Sequence, residues 1–347
     1  MNRPQSSTAA RISVIVPAYN SAQTLQSCLE ALLAALCCID SGEIIVVDDG
    51  STDDTQLIAS RYSVRVLQLV QNTGPAAARN HGASCAQGDI LMFVDADVMV
   101  AEDALVRVVR QFTRNTDCVA VIGSYDIEPE AGNLISTYRN LLHHYVHQKT
   151  STSASHFWTG LGAIRRTVFE SLGGFDERKF GRALEDIELG YRLRMRGYPI
   201  TLDKAIQGKH LKHWTLLSMI RTDLLVRAIP WTHLLFQYRN IPDDFSLGRS
   251  QRISVALAWT SALATLAIFI RPGSALVALL ALFGFVVVNL DFFAFMAKKQ
   301  GVLFSIACVP LHLLFHFNAG LGFIVGTITF FLPRLTGTLN STLNRDI

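Results

Sequence analysis

The sequence predicts an α/β domain built on a mostly parallel sheet, followed by an interfacial helix and an α-helical transmembrane region. Three observations carry that prediction. Strand-length apolar runs alternate with helical stretches from Ile12 to His213, the order that gives a parallel sheet covered on both faces. One of these runs, ILMFVDAD (Ile90 to Asp97), ends in two carboxylates one residue apart, as a buried strand does when it delivers ligands to its C-terminal edge. Acidic residues then almost vanish, and Ile253 to Leu332 holds only Asp291.

The bulk properties agree. The chain has 347 residues, 50% of them hydrophobic, with a mean hydropathy of +0.30, so it is longer and oilier than one ordinary soluble domain. A net charge of +3, scattered and without a basic stripe, argues against a nucleic-acid partner. The first residues, MNRPQSSTAAR, lack the apolar core of a signal peptide, so the first domain is expected to remain in the cytosol. Cys28, Cys37, Cys38, Cys85, Cys118 and Cys308 show no C-x-x-C spacing and read as reduced core residues.

In order, ISVIVPAYN (Ile12 to Asn20) is a buried strand stopped by Pro17, and a helix follows from about Thr24 to Leu36. EIIVVDDGSTDDT (Glu43 to Thr55) is a second strand running into two aspartates and a Ser-rich helix start. Val64 to Val70 is a third strand, and the next helix begins at Pro75, a first-turn position where the missing N–H does no harm. The Ile90 run follows, with alternation placing Asp95 and Asp97 on one side, then a helix from about Ala101 to Gln111. Val119 to Ser124 reads as a strand. Leu134 to Gln148 reads as a helix whose His143, His144 and His147 make a polar face more readily than a metal site. Ala183 to Ile200 is a helix that starts at a carboxylate cluster and stops at Gly197. Leu202 to His213 is a short strand and loop bearing His210.

Beyond Trp214 the apolar residues Leu217, Ile220, Leu224 and Trp231 recur at helical steps, and Arg227, Pro230 and Trp231 suit a helix in a membrane interface. Three apolar segments follow: Ile253 to Ile270, Ser274 to Ala297, and Val302 to Leu332. The first two match the ~20 residues a bilayer span requires, and Arg271-Pro272-Gly273 makes them a hairpin. The third would be roughly 46 Å long if straight, so it is either one tilted helix or a re-entrant piece and a second span. Arg239, Arg249, Arg252, Lys298 and Lys299 fall on the cytosolic side of such a hairpin.

SVIVPAYN, VVDDGSTDDT, the D-A-D after FV, GGFDE and the Glu185-Asp186 pair, in that order and spacing, resemble the family 2 glycosyltransferases of GT-A fold. With the hydropathy pattern, the resemblance implies a cytosolic GT-A (Rossmann-like) domain over residues 1–212. An interfacial helix and linker would occupy 213–250, two to four transmembrane spans 251–335, and a tail 336–347. Asp97 would ligate a divalent cation, Mg²⁺ or Mn²⁺, with His210 at a place where some members present a histidine to the diphosphate or metal. Asp95 would assist with donor ribose or metal. Asp49 would hydrogen-bond a uracil-type base wrapped by Pro17, Ala18 and Tyr19, and Arg79 is a candidate diphosphate contact. Asp186 is the expected general base, although Glu185 and Glu188 could serve geometrically. Trp158, Gly160 and Glu185 fall on the acceptor side, where a ring and a bare backbone let a sugar approach.

The expected function is therefore a membrane-anchored, metal-dependent inverting transfer of one sugar from a nucleotide sugar, UDP-linked by preference, to a lipid or lipid-linked acceptor. A multi-pass inner (plasma) membrane location with a cytosolic catalytic domain follows. The alternatives are a polyprenyl-phosphate glycosyltransferase and a processive polysaccharide synthase. No Q-x-x-R-W occurs after residue 200, which weakens the processive reading.

Overall fold

The computed structural model describes residues 11–180, 183–238 and 248–332, which belong to two compact units. One unit comprises Met1–Glu130 with His147–Lys212, and the other Ala131–Val146 with His213–Ile347. Residues 131–146, expected in the catalytic half, thus group with the C-terminal helices. The N-terminal ten residues, Arg239 and the 336–347 tail lie outside the described residues.

In the first unit, β-branched runs make strands because both of their faces are buried. Val14 and Val16 of β1 (Ile12–Ala18) pack with Leu25, Leu29 and Leu32 of α1 (Leu25–Leu36) on one side of the sheet. Ile15 packs on the other side with Val47 of β2 (Gly42–Asp48) and with small residues of α3 (Pro75–Cys85), which follows α2 (Thr55–Ala59) and β3 (Arg65–Gln68). Pro17 does not stop β1. Ala18 O accepts from Asp49 N on the β2 side, so Pro17 faces β4 (Ile90–Val94), whose pairing has already ended at Ile15↔Phe93 and needs no donor there.

Around the neighbours β5 (Val98–Val100), α4 (Ala104–Arg114), β6 (Ala120–Tyr125) and α5 (Leu134–Lys149), the chain adds three elements the periodicity does not mark. These are β7 (Ser153–Ala154), β8 (Leu161–Arg165) and α6 (Arg166–Ser171), followed by α7 (Glu185–Met195) and a β9 that extends over Ile200–His210. The sheet order is β3-β2-β1-β4-β8-β6-β9-β5, with β7 also on β9. Its first half, β3-β2-β1-β4, is wholly parallel, whereas β8 runs antiparallel between β4 and β6. Cys28 and Cys118 are buried as expected, but Cys37 and Cys38 are exposed beyond the end of α1.

The second unit is helical. The Trp214–Phe236 stretch is not one α-helix. Thr215 caps α8 (Leu216–Arg221) through a capping box with Ser218, and a π-helical turn over Thr222–Ala228 leads into α9 (Ile229–Tyr238). The first apolar segment forms α10 (Arg249–Ala267). The second breaks at Asn289 into α11 (Ser274–Val288) and α12 (Leu290–Gln300), bent by 68°, so it is not the single straight span expected. The third is one continuous helix, α13 (Val302–Phe331), which removes the two-piece alternative. Among the described residues α13 is the one helix that is long and apolar enough to cross a membrane, and the bent α11–α12 pair passes the same test only if taken together.

Gly322 and Gly326 bring the α13 backbone against Ala228 and Thr232. A Cβ on Gly322 would collide with Ala228, and one on Gly326 would lie 2.6 Å from Thr232 Cβ. Gly322→Leu should therefore cost about 1–3 kcal/mol and lower the thermal unfolding midpoint in detergent. An unchanged midpoint would contradict this close packing.

Candidate active site

The site grows from the C-terminal edge of the parallel half of the sheet. After Val94 the chain turns, with Val98 N donating to Asp95 O at 3.0 Å, so strand alternation no longer sets the two aspartates. Each takes a different partner. Asp95 Oδ1 accepts from Arg79 Nη2 at 2.6 Å, and Asp97 Oδ2 lies 3.5 Å from His210 Nε2 at the end of β9.

Arg79 is the hub. Its side chain is 5% exposed, and its second terminal nitrogen donates to Glu185 Oε1 at the start of α7. One planar guanidinium therefore ties the Asp95 turn to the acidic helix start, a fork that a lysine could not reproduce. This differs from the expected open diphosphate contact: both terminal nitrogens are engaged by carboxylates. Burial works against the charge on Arg79, but Asp95, Glu185 and Asp186 together raise its pKa. Burial raises Asp95, with Arg79 opposing and Asp97 adding to the rise. Asp97 ends below the usual carboxylate range: burial acts upward, but the His210 hydrogen bond and charge and the nearby Lys212 outweigh it. Glu185 is pushed up to about 7, chiefly by burial, with Arg79 opposing and Asp186 reinforcing.

The first turn of α7 carries three carboxylates with different fates. Glu185 is 5% exposed and belongs to Arg79; Glu188 is 2% exposed and grips Arg192 through nitrogen–oxygen contacts of 2.7–2.9 Å. Arg192 also donates to Leu172 O and Gly174 O, and Asn80 brackets Phe175 through both its N–H and its carbonyl. The GGFDE turn is thus fastened from two sides. Asp186 alone of the three stays partly exposed. Its Oδ2 accepts from Thr159 N and Thr159 Oγ1, both at 3.3 Å, and its Oδ1 accepts from Ile187 N at 2.7 Å.

Thr159, which the sequence reading passed over, sits between Trp158 and Gly160. Gly160 is buried, and its bare face is filled by the Trp158 indole, since a Cβ there would come within 2.6 Å of Trp158 Cζ2. The absent side chain therefore admits this ring, and Trp158 itself is half-buried.

At the other end of the edge, Pro17 and Ala18 close β1 and Tyr19 follows with 40% exposure. Asp49 is 3% exposed; its Oδ1 accepts from Thr73 N and Thr73 Oγ1 and its Oδ2 from Gly74 N, all at 2.8 Å. Asp49 thus secures the loop ahead of α3. Asn20 Oδ1 accepts from Thr52 N and joins the two loops that follow β1 and β2.

The donor set fits a divalent cation shared with substrate. Among the described residues no cluster of three or more His, Cys, Asp or Glu could hold a metal ion alone. Asp97 and His210 offer one oxygen and one nitrogen at 3.5 Å separation, leaving the remaining positions to diphosphate oxygens and water.

Two predictions follow from Arg79 and Glu185. Arg79→Met leaves the buried Glu185, and with it the partly exposed Asp95, without their cation and should destabilise the protein by about 3 kcal/mol in chemical denaturation. Glu185, with a folded pKa of about 7 and an unfolded value near ~4.3, binds a proton in the native state that the unfolded chain has released. Its contribution is therefore favourable at low pH and is lost as pH rises from ~4.3 through 7. Glu185→Gln should flatten that part of the stability–pH curve; a curve parallel to that of the unmodified protein would refute the assignment.

The chain matches the family described as Glycosyl transferase family 2 over residues 13–173. It is 30% identical over 234 residues to a validoxylamine A glucosyltransferase of Streptomyces hygroscopicus subsp. jinggangensis, covering 58% of this chain and 56% of that protein. It is 29% identical over 255 residues to a dolichyl-phosphate beta-glucosyltransferase of Drosophila melanogaster, covering 66% and 69%. The chain spans about half the length of the first two curated relatives it matches. Its fold resembles that of the mannosyltransferase PcManGT from Pyrobaculum calidifontis, solved with GDP-Man and Mn²⁺, at 19% identity and a TM-score of 0.55, over 94% of this chain and 88% of that one. The motifs and the sheet edge agree with these matches: residues 13–173 match Glycosyl transferase family 2, and the fold is of the GT-A kind.

Proposed function

We propose that this protein transfers one sugar, with inversion, from a nucleoside-diphosphate sugar to a lipid or lipid-linked acceptor, using Asp186 as general base. The observation that carries the proposal is the sorting of the three α7 carboxylates. Arg79 holds Glu185 and Arg192 holds Glu188, so Asp186 is the one carboxylate of the turn left partly open to an acceptor. The donated bonds from Thr159 fix its orientation.

The donor would lie along the sheet edge, its base between Tyr19 and the loop that Asp49 secures, a UDP-sugar being favoured by the motif resemblance. Arg79 acts by holding Asp95 in place beside Asp97. Asp97 and His210 would hold Mg²⁺ or Mn²⁺, whose chemistry is to neutralise charge on the departing diphosphate. In-line attack needs an acceptor oxygen freed of its proton, and Asp186 takes that proton. Membrane anchoring is supported by α13 and by the positive residues Arg249, Arg252, Lys298 and Lys299 flanking the apolar helices, on the cytosolic side in this reading.

A second reading, in which the acceptor is a polyprenyl-type phosphate, draws on the likeness to the dolichyl-phosphate glucosyltransferase. A phosphate is already anionic and requires no base. Asp186→Asn separates the two. Transfer of radiolabelled sugar to a hydroxyl acceptor should fall by at least ~10²-fold while donor binding persists. Undiminished transfer to a lipid phosphate would favour the second reading and sink the base assignment.

A further inference from the structure

We infer that Tyr125 is a positioning residue for the divalent cation, acting through His210; the inference rests on the reading that Asp97 and His210 hold that cation. Tyr125 ends β6 and pairs with Gly208 of β9, two residues before His210. Its ring lies parallel to the His210 imidazole, with centroids 4.4 Å apart and an interplanar angle of 16°. The Trp158 ring meets the same tyrosine edge-on at 4.8 Å and 88°, and His147 meets Trp158 edge-on at 5.2 Å. His147 is itself pinned, its Nδ1 lying 3.1 Å from Gly123 O of β6. These four rings form one packed row from α5 to the end of β9.

An imidazole on a strand end turns about its side-chain bonds unless something fixes its plane, and a ligand must keep its lone pair aimed at the metal. In this site the stack on Tyr125 supplies the constraint. Tyr125 is 7% exposed and His210 9%, so neither ring has room to swing. With the plane fixed, His210 Nε2 stands 3.5 Å from Asp97 Oδ2. That distance is long for a strong hydrogen bond. It suits two ligand atoms converging on one cation, since bonds of ~2.1 Å meeting at ordinary coordination angles place their ligand atoms roughly 3.0–3.5 Å apart.

The phenol oxygen is not part of this argument; the flat ring is. Tyr125→Phe should therefore bind Mn²⁺ like the unmodified protein, whereas Tyr125→Leu should weaken binding about tenfold. The probe is Mn²⁺ alone, read from the electron paramagnetic resonance signal of the free ion, on the full-length protein in detergent with its folding checked by thermal melting. Trp158→Leu removes the edge contact but leaves the stack, so it should lower transfer and leave Mn²⁺ affinity within twofold. Equal weakening by Trp158→Leu and Tyr125→Leu would mean general loosening of the row and would overturn the inference. So would Mn²⁺ affinity in Tyr125→Leu equal to that of the unmodified protein when His210→Ala has lost it. If Asp97→Ala and His210→Ala both bind Mn²⁺ undiminished, the metal reading itself fails, and the role of Tyr125 falls with it.

Discussion

The catalytic half depends on the bifurcated ion pairing of Arg79. Asp95 and Glu185 come from distant parts of the chain, and the charge of Asp95 adds to the cost of ionising Glu185. A single cation 5% exposed between them is what lets the DxD turn and the acidic helix start share one edge of the sheet. Its placement has a local cause. Helix α3 is lined with Ala76, Ala78, Gly82 and Ala83, small enough for the helix to lie close to Ile15 and Val47, and that closeness drives Arg79 toward the strand ends.

From that constraint the division of labour follows. Glu185 is held by Arg79 and Glu188 by Arg192. Glu185 and Glu188 are therefore spent on structure, and what they hold, the Asp95 turn and the Gly173–Phe175 turn, frames the partly open Asp186. Asp49 is similar. Three of its acceptor positions are filled by Thr73 and Gly74, so it holds the loop ahead of α3.

Where one residue type had one physical job, the sequence was readable. The buried runs at Ile12, Glu43 and Ile90 could only be central strands, and Pro75 could only open a helix. The elements missed are short or lie where glycine replaces the apolar period: β8 reads LGAIR, and its antiparallel place between β4 and β6 depends on Gly162 tolerating the Trp158 carbonyl, which no periodicity records. Partners were harder still. That Arg79 faces Glu185 and not solvent, that Gly160 is bare for Trp158, and that Tyr125 covers His210 are facts about residues far apart in the chain. A single motif carries no trace of them.

The helical unit shows the same limit. Asn289 looks like an accident in an apolar run, yet it sits at the bend between α11 and α12, and its Nδ2 donates to Ser254 Oγ and Phe285 O, both at 2.9 Å. Its Oδ1 must then accept, so the His312 nitrogen 3.2 Å away, Nε2, carries the hydrogen. His312 Nδ1 is left as an acceptor, and Tyr138 of α5 donates to it at 2.9 Å. His316 Nε2, 3.3 Å from His312 Nε2, can only accept from that same hydrogen. Every hydrogen in this chain has one consistent place with all rings neutral, and the chain links α5, α10, the α11–α12 bend and α13. These two histidines are paired with each other, with Asn289 and with Tyr138. Their arrangement accounts for the bend at Asn289 and for the inclusion of residues 131–146 in the helical unit.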